Sequence, residues 1–233
     1  MTEGSDPRLV VLLSGRGSNF LALHKAQEEG WLGGRIVAVI SDRADSQGLE
    51  RARALGLDTV CLERARHDSR ESFETSLSSA IDGFDPVLIV LAGFMRVLSA
   101  AFVRRYPARM INIHPSLLPR HRGLNTHQRV LDAGEKEHGA SVHFVTPQLD
   151  GGPVVSQVTM AVESQDTAEI LADRLLALEH QLLPATVALL LHSLVEVRNE
   201  TISIDNKKVA RPLLLGRNLD DHGRRIRGNR NVR

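Results

Sequence analysis

An amide and an imidazole stand two positions apart where an apolar run of the chain ends, in RMINIHPSLLP (residues 109–119). Because side chains alternate along a β-strand, Asn112 and His114 would share one face, and Pro115 would stop the hydrogen-bond ladder. An apolar strand has little reason to carry two such side chains unless its end borders a polar cleft. We interpret the pair as half of an active site; a satisfied polar pair in the core is the alternative.

A carboxylate partner for this pair is available further along the chain. Asp150 precedes Gly151, Gly152 and Pro153, a flexible corner that would let a carboxylate approach another loop, although the pattern is also typical of an Asx-type turn. If the corner folds back to the end of the strand, Asp150 would favour the protonated form of His114. A cationic His114 and the Asn112 amide are both donors, which suits the oxyanion formed when a carbonyl is attacked.

The sequence favours direct transfer between two bound small molecules. It contains no Ser or Cys in an activating motif, and no His, Asp or Glu set has convincing metal-ligand spacing. We interpret His138 and His143, which flank a strand-like run, as structural or cleft-lining. The predicted chemistry is attack by one substrate on the acyl carbon of the other, with proximity supplying much of the acceleration.

A glycine loop predicts a phosphate site. The first apolar run leads into SGRGSN (residues 14–19) and then a helix-like segment, whose free N–H groups and positive dipole end suit an anion. The loop lacks the Gly-Lys-Ser/Thr ending of a nucleotide P-loop, and Phe20 stands where a dinucleotide fingerprint has its third glycine. Since Asp42 and Asp45 could act as ribose-binding acids, a nicotinamide-binding module stays open as a rival.

The elements that must position these residues alternate between apolar, β-branched-rich runs and helix-like stretches, which predicts a mostly parallel sheet with helices on both faces. Predicted strands cover residues 9–13, 36–40, 59–62, 87–92, 110–113, 141–145 and 154–159. Predicted helices cover residues 19–29, 48–55, 69–82, 99–105, 126–133 and 167–191, the last with Asp166 as N-cap. Two short strands around Asn199 and Glu200 would form an antiparallel C-terminal hairpin.

Composition limits the function classes. The 233 residues, 42% of them hydrophobic, suffice for one large core, and 29 Lys plus Arg against 28 Asp plus Glu give no basic field for nucleic acid or acidic membranes. A single cysteine, Cys61, excludes an internal disulfide and a cysteine-based metal cluster. With no targeting pattern at the N-terminus and no run of roughly 18 uncharged apolar residues, we expect a cytoplasmic protein.

We predict one domain with short unstructured ends. Residues 1–7 are expected to be disordered, residues 8–212 to form the domain, and residues 213–233, rich in Arg, Asn and Gly, to form a basic disordered tail. A solvated terminus explains the tail better than RNA binding does.

Five ordered motifs carry a family resemblance. They are SGRGSN (14–19), LAGFMR (91–96), INIHPSLLP (111–119), HGASVHFV (138–145) and LDGGP (149–153). On these motifs and their spacing, residues 9–212 closely resemble the phosphoribosylglycinamide formyltransferases, folate-dependent enzymes of purine biosynthesis. The resemblance implies a Rossmann-like formyltransferase fold. It also implies that the amine of glycinamide ribonucleotide attacks 10-formyltetrahydrofolate through a tetrahedral intermediate, giving the N-formyl product and tetrahydrofolate.

The resemblance also implies roles for particular residues, with no metal and with small-molecule substrates as the partners. Asn112, His114 and Asp150 match the catalytic positions, with His114 as proton donor. Gly17, Ser18 and Asn19 would hold the phosphate of the ribonucleotide, and Glu179 its ribose hydroxyls. Contacts to the formyl-folate would come from Arg70, Met95, Arg96, Val97, Leu98, Asn112, Thr146, Pro147, Gln148, Leu149 and Asp150.

Some positions match the binding residues of the family less clearly. Leu176, Ala177 and Leu178 offer few polar side chains, so ribonucleotide contacts there would use backbone groups or Glu179 itself. The run from Arg120 to Arg122 could support the phosphate or be solvated.

Other formyl-folate enzymes stay open as alternatives, because methionyl-tRNA formyltransferases and formyltetrahydrofolate deformylases share the Asn, His and Asp core. We expect the tRNA enzymes to need a further C-terminal domain, which 233 residues barely accommodate. A deformylase would add an N-terminal regulatory domain, whereas the first predicted strand starts near residue 8. Residues 17–19 favour a small phosphorylated acceptor. The oligomeric state cannot be predicted.

Overall fold

The computed structural model describes residues 6–198 and 201–226. Within them, strands and helices alternate through the first half of the chain, as predicted. The strands are β1 (Arg8–Leu13), β2 (Arg35–Ser41), β3 (Asp58–Cys61), β4 (Leu88–Leu91), β5 (Met110–His114), β6 (Glu137–Phe144), β7 (Val154–Ala161), β8 (Val195–Arg198), β9 (Thr201–Ile204), β10 (Lys207–Val209) and β11 (Leu213–Leu214). The helices are α1 (Ser18–Glu28), α2 (Gln47–Ala54), α3 (Arg70–Gly83), α4 (Ala100–Arg105), α5 (Thr126–Asp132) and α6 (Ala168–His192).

The strand order of the main sheet is β11-β7-β6-β5-β4-β1-β2-β3. Strand β1 pairs in parallel with β2 and β4, β2 with β3, β4 with β5, and β11 with β7, whereas β6 and β7 are antiparallel. A separate sheet, β10-β9-β8, is antiparallel throughout. The predicted fold class, a mostly parallel α/β sheet with antiparallel C-terminal additions, is confirmed.

The chain groups into two compact units. The first unit contains the residues up to Asn112 together with Phe144–Leu149. All of β4 and nearly all of β1 are buried, as expected for strands covered on both faces. Serine side chains cap three helices of this unit by accepting a backbone N–H of the first turn, which satisfies a donor that the helix itself cannot satisfy. These caps are Ser46 on α2, Ser69 on α3 and Ser99 on α4.

The second unit contains Ile113–His143 and the residues from Asp150 onward. Its core is α6, which packs on β7 and α5. The N-cap of α6 is Thr167, whose side chain accepts from the Ile170 N–H at 3.3 Å, so the prediction of Asp166 as N-cap was wrong. The carboxylate of Asp166 pairs with Arg174 at 2.5 Å and accepts from the Glu163 N–H at 2.7 Å. These charge-assisted contacts leave the cap to the following hydroxyl.

Helix α6 is the one helix of the described chain that is long and apolar enough, by length and composition, to cross a membrane. Its most apolar window is 56% buried inside the protein. The burial of Leu171, Leu175, Leu182 and Leu183 identifies α6 as a core helix.

The predicted disorder from residue 213 onward is wrong for residues 213–226. Strand β11 pairs with β7, and Leu219 is fully buried. Gly223 lies so close to α6 that a Cβ there would be 2.4 Å from the Ala185 carbonyl oxygen. A few leucines suffice to anchor a segment whose overall composition is polar. Residues 1–5 and 227–233, also predicted to be disordered, and the turn residues Asn199 and Glu200 lie outside the described residues.

Candidate functional site

The glycine loop of the first unit joins β1 to α1 in the conformation that an anion site needs. Gly17 is the N-cap of α1 with φ 73°, and no side chain caps this helix within the described part of the chain. The first N–H groups of α1 therefore lie at a helix N-terminus whose N-cap residue has no side chain to accept from them. This arrangement fits the predicted phosphate site.

Helix α2 supports the loop from behind. A Cβ on Gly17 would lie 2.6 Å from the Cα of Gly48, so the two backbones touch. The Gly48 N–H and the Ser46 hydroxyl both donate to the Gly15 carbonyl, at 2.9 and 3.1 Å. Glycine is required at residue 17 both for its left-handed backbone and for this close approach.

The segment after β4, residues 95–98, presents apolar side chains at the surface of the first unit. Met95 is 67% and Val97 63% exposed, whereas Leu98 is buried. The Met95 N–H donates to the Ser14 hydroxyl at 2.8 Å, which fixes the start of the segment. Neighbouring exposed apolar side chains of this kind can mark a ligand-binding or interaction surface.

Two arginines flank this segment. Arg70 donates to the Val97 carbonyl at 2.6 Å and to Glu74 at 3.0 Å. Arg96 pairs with the buried carboxylate of Asp42 at 2.5 Å. The structure therefore brings together Arg70 and residues 95–98, the predicted folate contacts of this part of the chain.

The carboxylates that kept a nicotinamide-binding module open are already paired. Asp42 is bound by Arg96, and Asp45 pairs with Arg43 at 2.7 Å. The hydrogen bond from Arg43 lowers the pKa of Asp45, which keeps that carboxylate charged and paired. Each acid thus already has an arginine as its partner.

The remaining predicted folate contacts of the first unit form a short exposed loop. Residues 146–149 follow Val145, whose N–H donates to the Met110 carbonyl at 2.9 Å. Inside the loop, the Thr146 hydroxyl donates to the Gln148 carbonyl at 3.3 Å. Pro147 and Gln148 are exposed, and Leu149 is 51% exposed, so this loop too offers apolar surface beside backbone polar groups.

Asn112 and His114 both belong to β5, where alternation places them on one face. Asn112 is partly buried and His114 is 7% exposed. The Nε2 atom of His114 lies 3.0 Å from the His121 carbonyl oxygen. Because a carbonyl can only accept, Nε2 carries a hydrogen, which leaves Nδ1 as the nitrogen available to other partners.

The Gly-rich corner folds back to this histidine. Oδ2 of Asp150 lies 3.5 Å from Nδ1 of His114 and accepts from the Gly123 N–H at 2.8 Å, while Oδ1 lies 3.7 Å from Nε2 of His143. Asp150 has φ 46°, a left-handed conformation that Asp tolerates better than most residues. A largely buried carboxylate thus faces Nδ1 of the imidazole.

Further histidines of the second unit form pairs that the sequence did not indicate. His121 and Arg120 bind the two oxygens of Glu135, each at 2.7 Å, so neither is simply solvated. Nδ1 of His127 lies 2.9 Å from Nε2 of His138. Burial lowers the pKa of His138 to about 4, and burial also lowers the pKa of His127. Both rings are therefore neutral near pH 7.

Glu179, the predicted ribose contact, lies on α6 and is 9% exposed. Within residues 6–198 and 201–226 no group of three or more His, Cys, Asp or Glu side chains could hold a metal ion.

Two groups were missed from the sequence, the Gly123 N–H and the Glu74 carboxylate. No sequence pattern indicates the Gly123 N–H. The four-residue spacing of Arg70 and Glu74 on a predicted helix, by contrast, indicates that these two side chains can pair.

Comparisons with known proteins find similarity over most of the chain. The sequence model of the formyl transferase family matches residues 7–187. The phosphoribosylglycinamide formyltransferase of Escherichia coli (strain K12) is 42% identical over 201 residues, which cover 86% of this chain and 95% of that protein. The trifunctional purine biosynthetic protein adenosine-3 of Bos taurus is 40% identical over 182 residues, 78% of this chain and 18% of that protein.

A solved structure is similar over the same length. The phosphoribosylglycinamide formyltransferase from Coxiella burnetii, in complex with CHES, superimposes with a TM-score of 0.86 at 45% identity. The match covers 90% of this chain and 99% of that chain. The similarity thus extends well beyond the individual motifs.

Proposed function

The chain belongs to the formyl transferase family, and on that premise we propose that it transfers the formyl group of 10-formyltetrahydrofolate to the amine of 5'-phosphoribosylglycinamide. The products are N-formylglycinamide ribonucleotide and tetrahydrofolate, in purine biosynthesis. The family uses the formyl-folate as a co-substrate, and no metal takes part in the proposed reaction.

The ribonucleotide binds through its anionic and polar groups. The phosphate accepts hydrogen bonds at Gly17, Ser18 and Asn19, where the N-terminal dipole of α1 adds a favourable field. Glu179 accepts from the ribose hydroxyls. Since the neighbouring Ala177 and Leu178 have apolar side chains, specificity for the sugar rests on this one carboxylate and on backbone groups.

The formyl-folate lies against Met95, Arg96, Val97 and Leu98. The apolar side chains of this segment cover its ring system, and Arg70 offers a guanidinium, which matches the geometry of a carboxylate, to its anionic end. Asn112, Thr146, Pro147, Gln148, Leu149 and Asp150 complete the contacts.

Catalysis is a direct acyl transfer. The amine nitrogen of the ribonucleotide attacks the formyl carbon, and the carbonyl electron pair moves onto oxygen, where the Asn112 amide and the His114 imidazolium donate to it. When the oxyanion collapses, the bond from carbon to the folate nitrogen breaks, and that nitrogen takes a proton from Nδ1 of His114. The proton lost by the attacking amine restores the imidazolium, so charge and protons balance.

One observation supports this proposal more than any other: the 3.5 Å approach of Asp150 to Nδ1 of His114, with Nε2 held by the His121 carbonyl. The carboxylate faces the nitrogen whose proton moves, and it stabilises the positive charge there. A histidine that merely filled the core would need a hydrogen-bond acceptor but not a carboxylate at this nitrogen.

The identity of the acceptor is tested by an absorbance assay for tetrahydrofolate. Three reactions contain the enzyme and 10-formyltetrahydrofolate with glycinamide ribonucleotide, with formyl-acceptor tRNA, or with water as the only acceptor. We expect product in the first reaction alone. Turnover with water would make the chain a deformylase, and turnover with tRNA would make it a methionyl-tRNA formyltransferase; either result would overturn the proposal.

We further propose that the formyltransferase domain begins at residue 8 and extends past the predicted bound of 212 to include residues 213–226, since β11 belongs to the main sheet and Leu219 is buried. We propose that its partners are small molecules, with no nucleic acid or membrane. A soluble protein is consistent with the burial of α6. We propose the cytoplasm as its location, in keeping with the use of freely diffusing substrates.

A further inference from the structure

Glu74, on α3, is a buried carboxylate whose two oxygens are both bound. The residue is 8% exposed. Oε1 accepts from Nε of Arg70 at 3.0 Å and from the Ser99 N–H at 2.7 Å, and Oε2 accepts from the Ser99 hydroxyl. A carboxylate removed from water needs such charge-assisted partners, because the desolvation of an unpaired charge would cost several kcal/mol. The carboxylate is therefore held in one position by groups from two elements.

Through these contacts Glu74 joins Arg70 to the end of the exposed segment 95–98. Arg70 donates from Nη2 to the Val97 carbonyl at 2.6 Å, while Ser99 follows the segment directly. The Arg70 side chain is 53% exposed, although two of its donors are bound. A guanidinium has five N–H groups in a rigid plane, so fixing Nε and Nη2 sets the direction of the other donors.

This arrangement differs from an ordinary surface ion pair. An exposed Arg–Glu pair at this spacing contributes little, because both side chains lose freedom and water screens the charges. Here the carboxylate of Glu74 is buried and already fixed by Ser99. Only the Arg70 side chain therefore loses conformational freedom when the pair forms. The gain is a pre-organised guanidinium beside the apolar segment.

We infer that Glu74 is a positioning residue for the formyl-folate: it fixes the Arg70 guanidinium in the orientation that binds the anionic end of this co-substrate. The inference rests on the proposed function, in which Arg70 contacts the folate. Glu74 itself touches neither substrate, and it acts on binding rather than on the chemical step. The residue therefore sets the KM for the formyl-folate and leaves kcat to the catalytic residues.

The test is steady-state kinetics of the full chain carrying Glu74→Gln, which removes the charge and keeps the shape. We expect the KM for 10-formyltetrahydrofolate to rise about threefold to tenfold, within the range of coupling between residues of one hydrogen-bond network, with kcat and the KM for the ribonucleotide unchanged. Glu71→Gln removes an exposed carboxylate from the same helix and is the matched control, with wild-type kinetics expected.

Combining this change with Arg70→Ala separates the inference from the proposed function. Arg70→Ala alone should raise the same KM, and Glu74→Gln should then add less than about twofold, because coupled residues are not additive. If Arg70→Ala raises the KM but Glu74→Gln does not, or adds its full effect in the double variant, only the inference falls. If Arg70→Ala leaves the KM unchanged, the folate contact of Arg70 and the inference fall together.

A stability difference does not interfere with this test. Should Glu74→Gln fold poorly, Glu74→Asp retains the charge but withdraws it by one methylene from Arg70, and the same rise in KM at constant kcat is expected. A purely structural carboxylate would instead lower the amount of active enzyme, which reduces apparent kcat and leaves the KM at the wild-type value.

Discussion

In the proposed mechanism, the direction of proton transfer at His114 follows from the two atoms that its ring nitrogens face. The His121 carbonyl takes one nitrogen permanently as a donor, and the carboxylate of Asp150 faces the other. At 3.5 Å, Oδ2 of Asp150 is too far from Nδ1 for a close hydrogen bond, so in the proposed reaction the carboxylate acts on the ring through its charge. In the proposed mechanism, this division of roles leaves Nδ1 to donate to the substrate.

Removing either member of this pair should abolish most of the activity. We expect His114→Ala and Asp150→Asn each to lower kcat by about 10²–10⁴, the usual contribution of general acid–base catalysis. Asparagine is suitable at residue 150 because it also tolerates a positive φ. The measurement is single-turnover formyl transfer, with circular dichroism to verify the fold.

A matched control is available on α5, where Asp132 is exposed. Asp132→Asn removes the same charge from the second unit and should retain wild-type turnover. Turnover near the wild-type rate in Asp150→Asn would contradict the role assigned to that carboxylate.

At the scale of elements, strands and helices could be predicted where apolar periodicity is strong. The buried strands β1 and β4 are almost wholly apolar, and their predicted bounds agree with the structure to within one residue. Strand β6 begins at Glu137, four residues before the predicted start, because Glu137 and His138 do not read as apolar although His138 is fully buried. The contact with His127, rather than hydrophobicity, explains why His138 is buried.

The site could be predicted only as separate pieces. Residue types and spacing indicated Asn112 and His114 as a pair, because strand alternation is a local rule. The approach of Asp150 was a conditional prediction, since its distance from His114 depends on the path of the chain over 36 positions. The Gly123 N–H that orients the carboxylate comes from an irregular loop, where no periodicity exists to indicate which backbone group points inward.

The contact between the glycine loop and α2 predicts that a side chain at residue 17 destabilises the protein. Gly17→Ala would force a side chain onto the Gly48 backbone in a left-handed conformation. We expect the free energy of unfolding to fall by about 1–3 kcal/mol, the cost of such strain, and the KM for the ribonucleotide to rise. Urea denaturation and steady-state kinetics measure the two effects.

Gly15→Ala is the comparison for stability, because a Cβ at that position meets nothing within 4 Å and the backbone is not left-handed. Its free energy of unfolding should stay within about 0.5 kcal/mol of the wild type, as for surface substitutions in general. Equal stability of the two variants would show that the loop relaxes away from α2.

At the scale of the whole molecule, the buried histidine pair links stability to pH. Burial lowers the pKa of His138 in the folded protein from 6.5 to about 4, so below pH 6.5 the unfolded chain binds a proton that the folded protein does not. The stability available above pH 6.5 is therefore lost as the pH falls toward 4. The depressed pKa of His127 acts in the same direction.

We expect the free energy of unfolding to decrease by about 3 kcal/mol between pH 6.5 and 4 through His138 alone, since each pKa unit corresponds to about 1.4 kcal/mol. Urea denaturation at a series of pH values measures this slope. In His138→Gln, which cannot titrate, the slope should be smaller by that amount, and above pH 7 the two proteins should differ by a constant. Parallel curves over the whole range would refute the assignment.

The short strand β11 has a consequence for the solution behaviour of the protein. It pairs with Ser156 and Gln157 near the middle of β7, an eight-residue strand that would otherwise be the last of the sheet, with unsatisfied backbone groups along its edge. Such an edge is a template for strand addition from a second molecule. In a chain shortened at Pro212, β7 would be an unpaired edge strand. We therefore expect self-association, rather than loss of catalysis, to be the first defect of such a truncation.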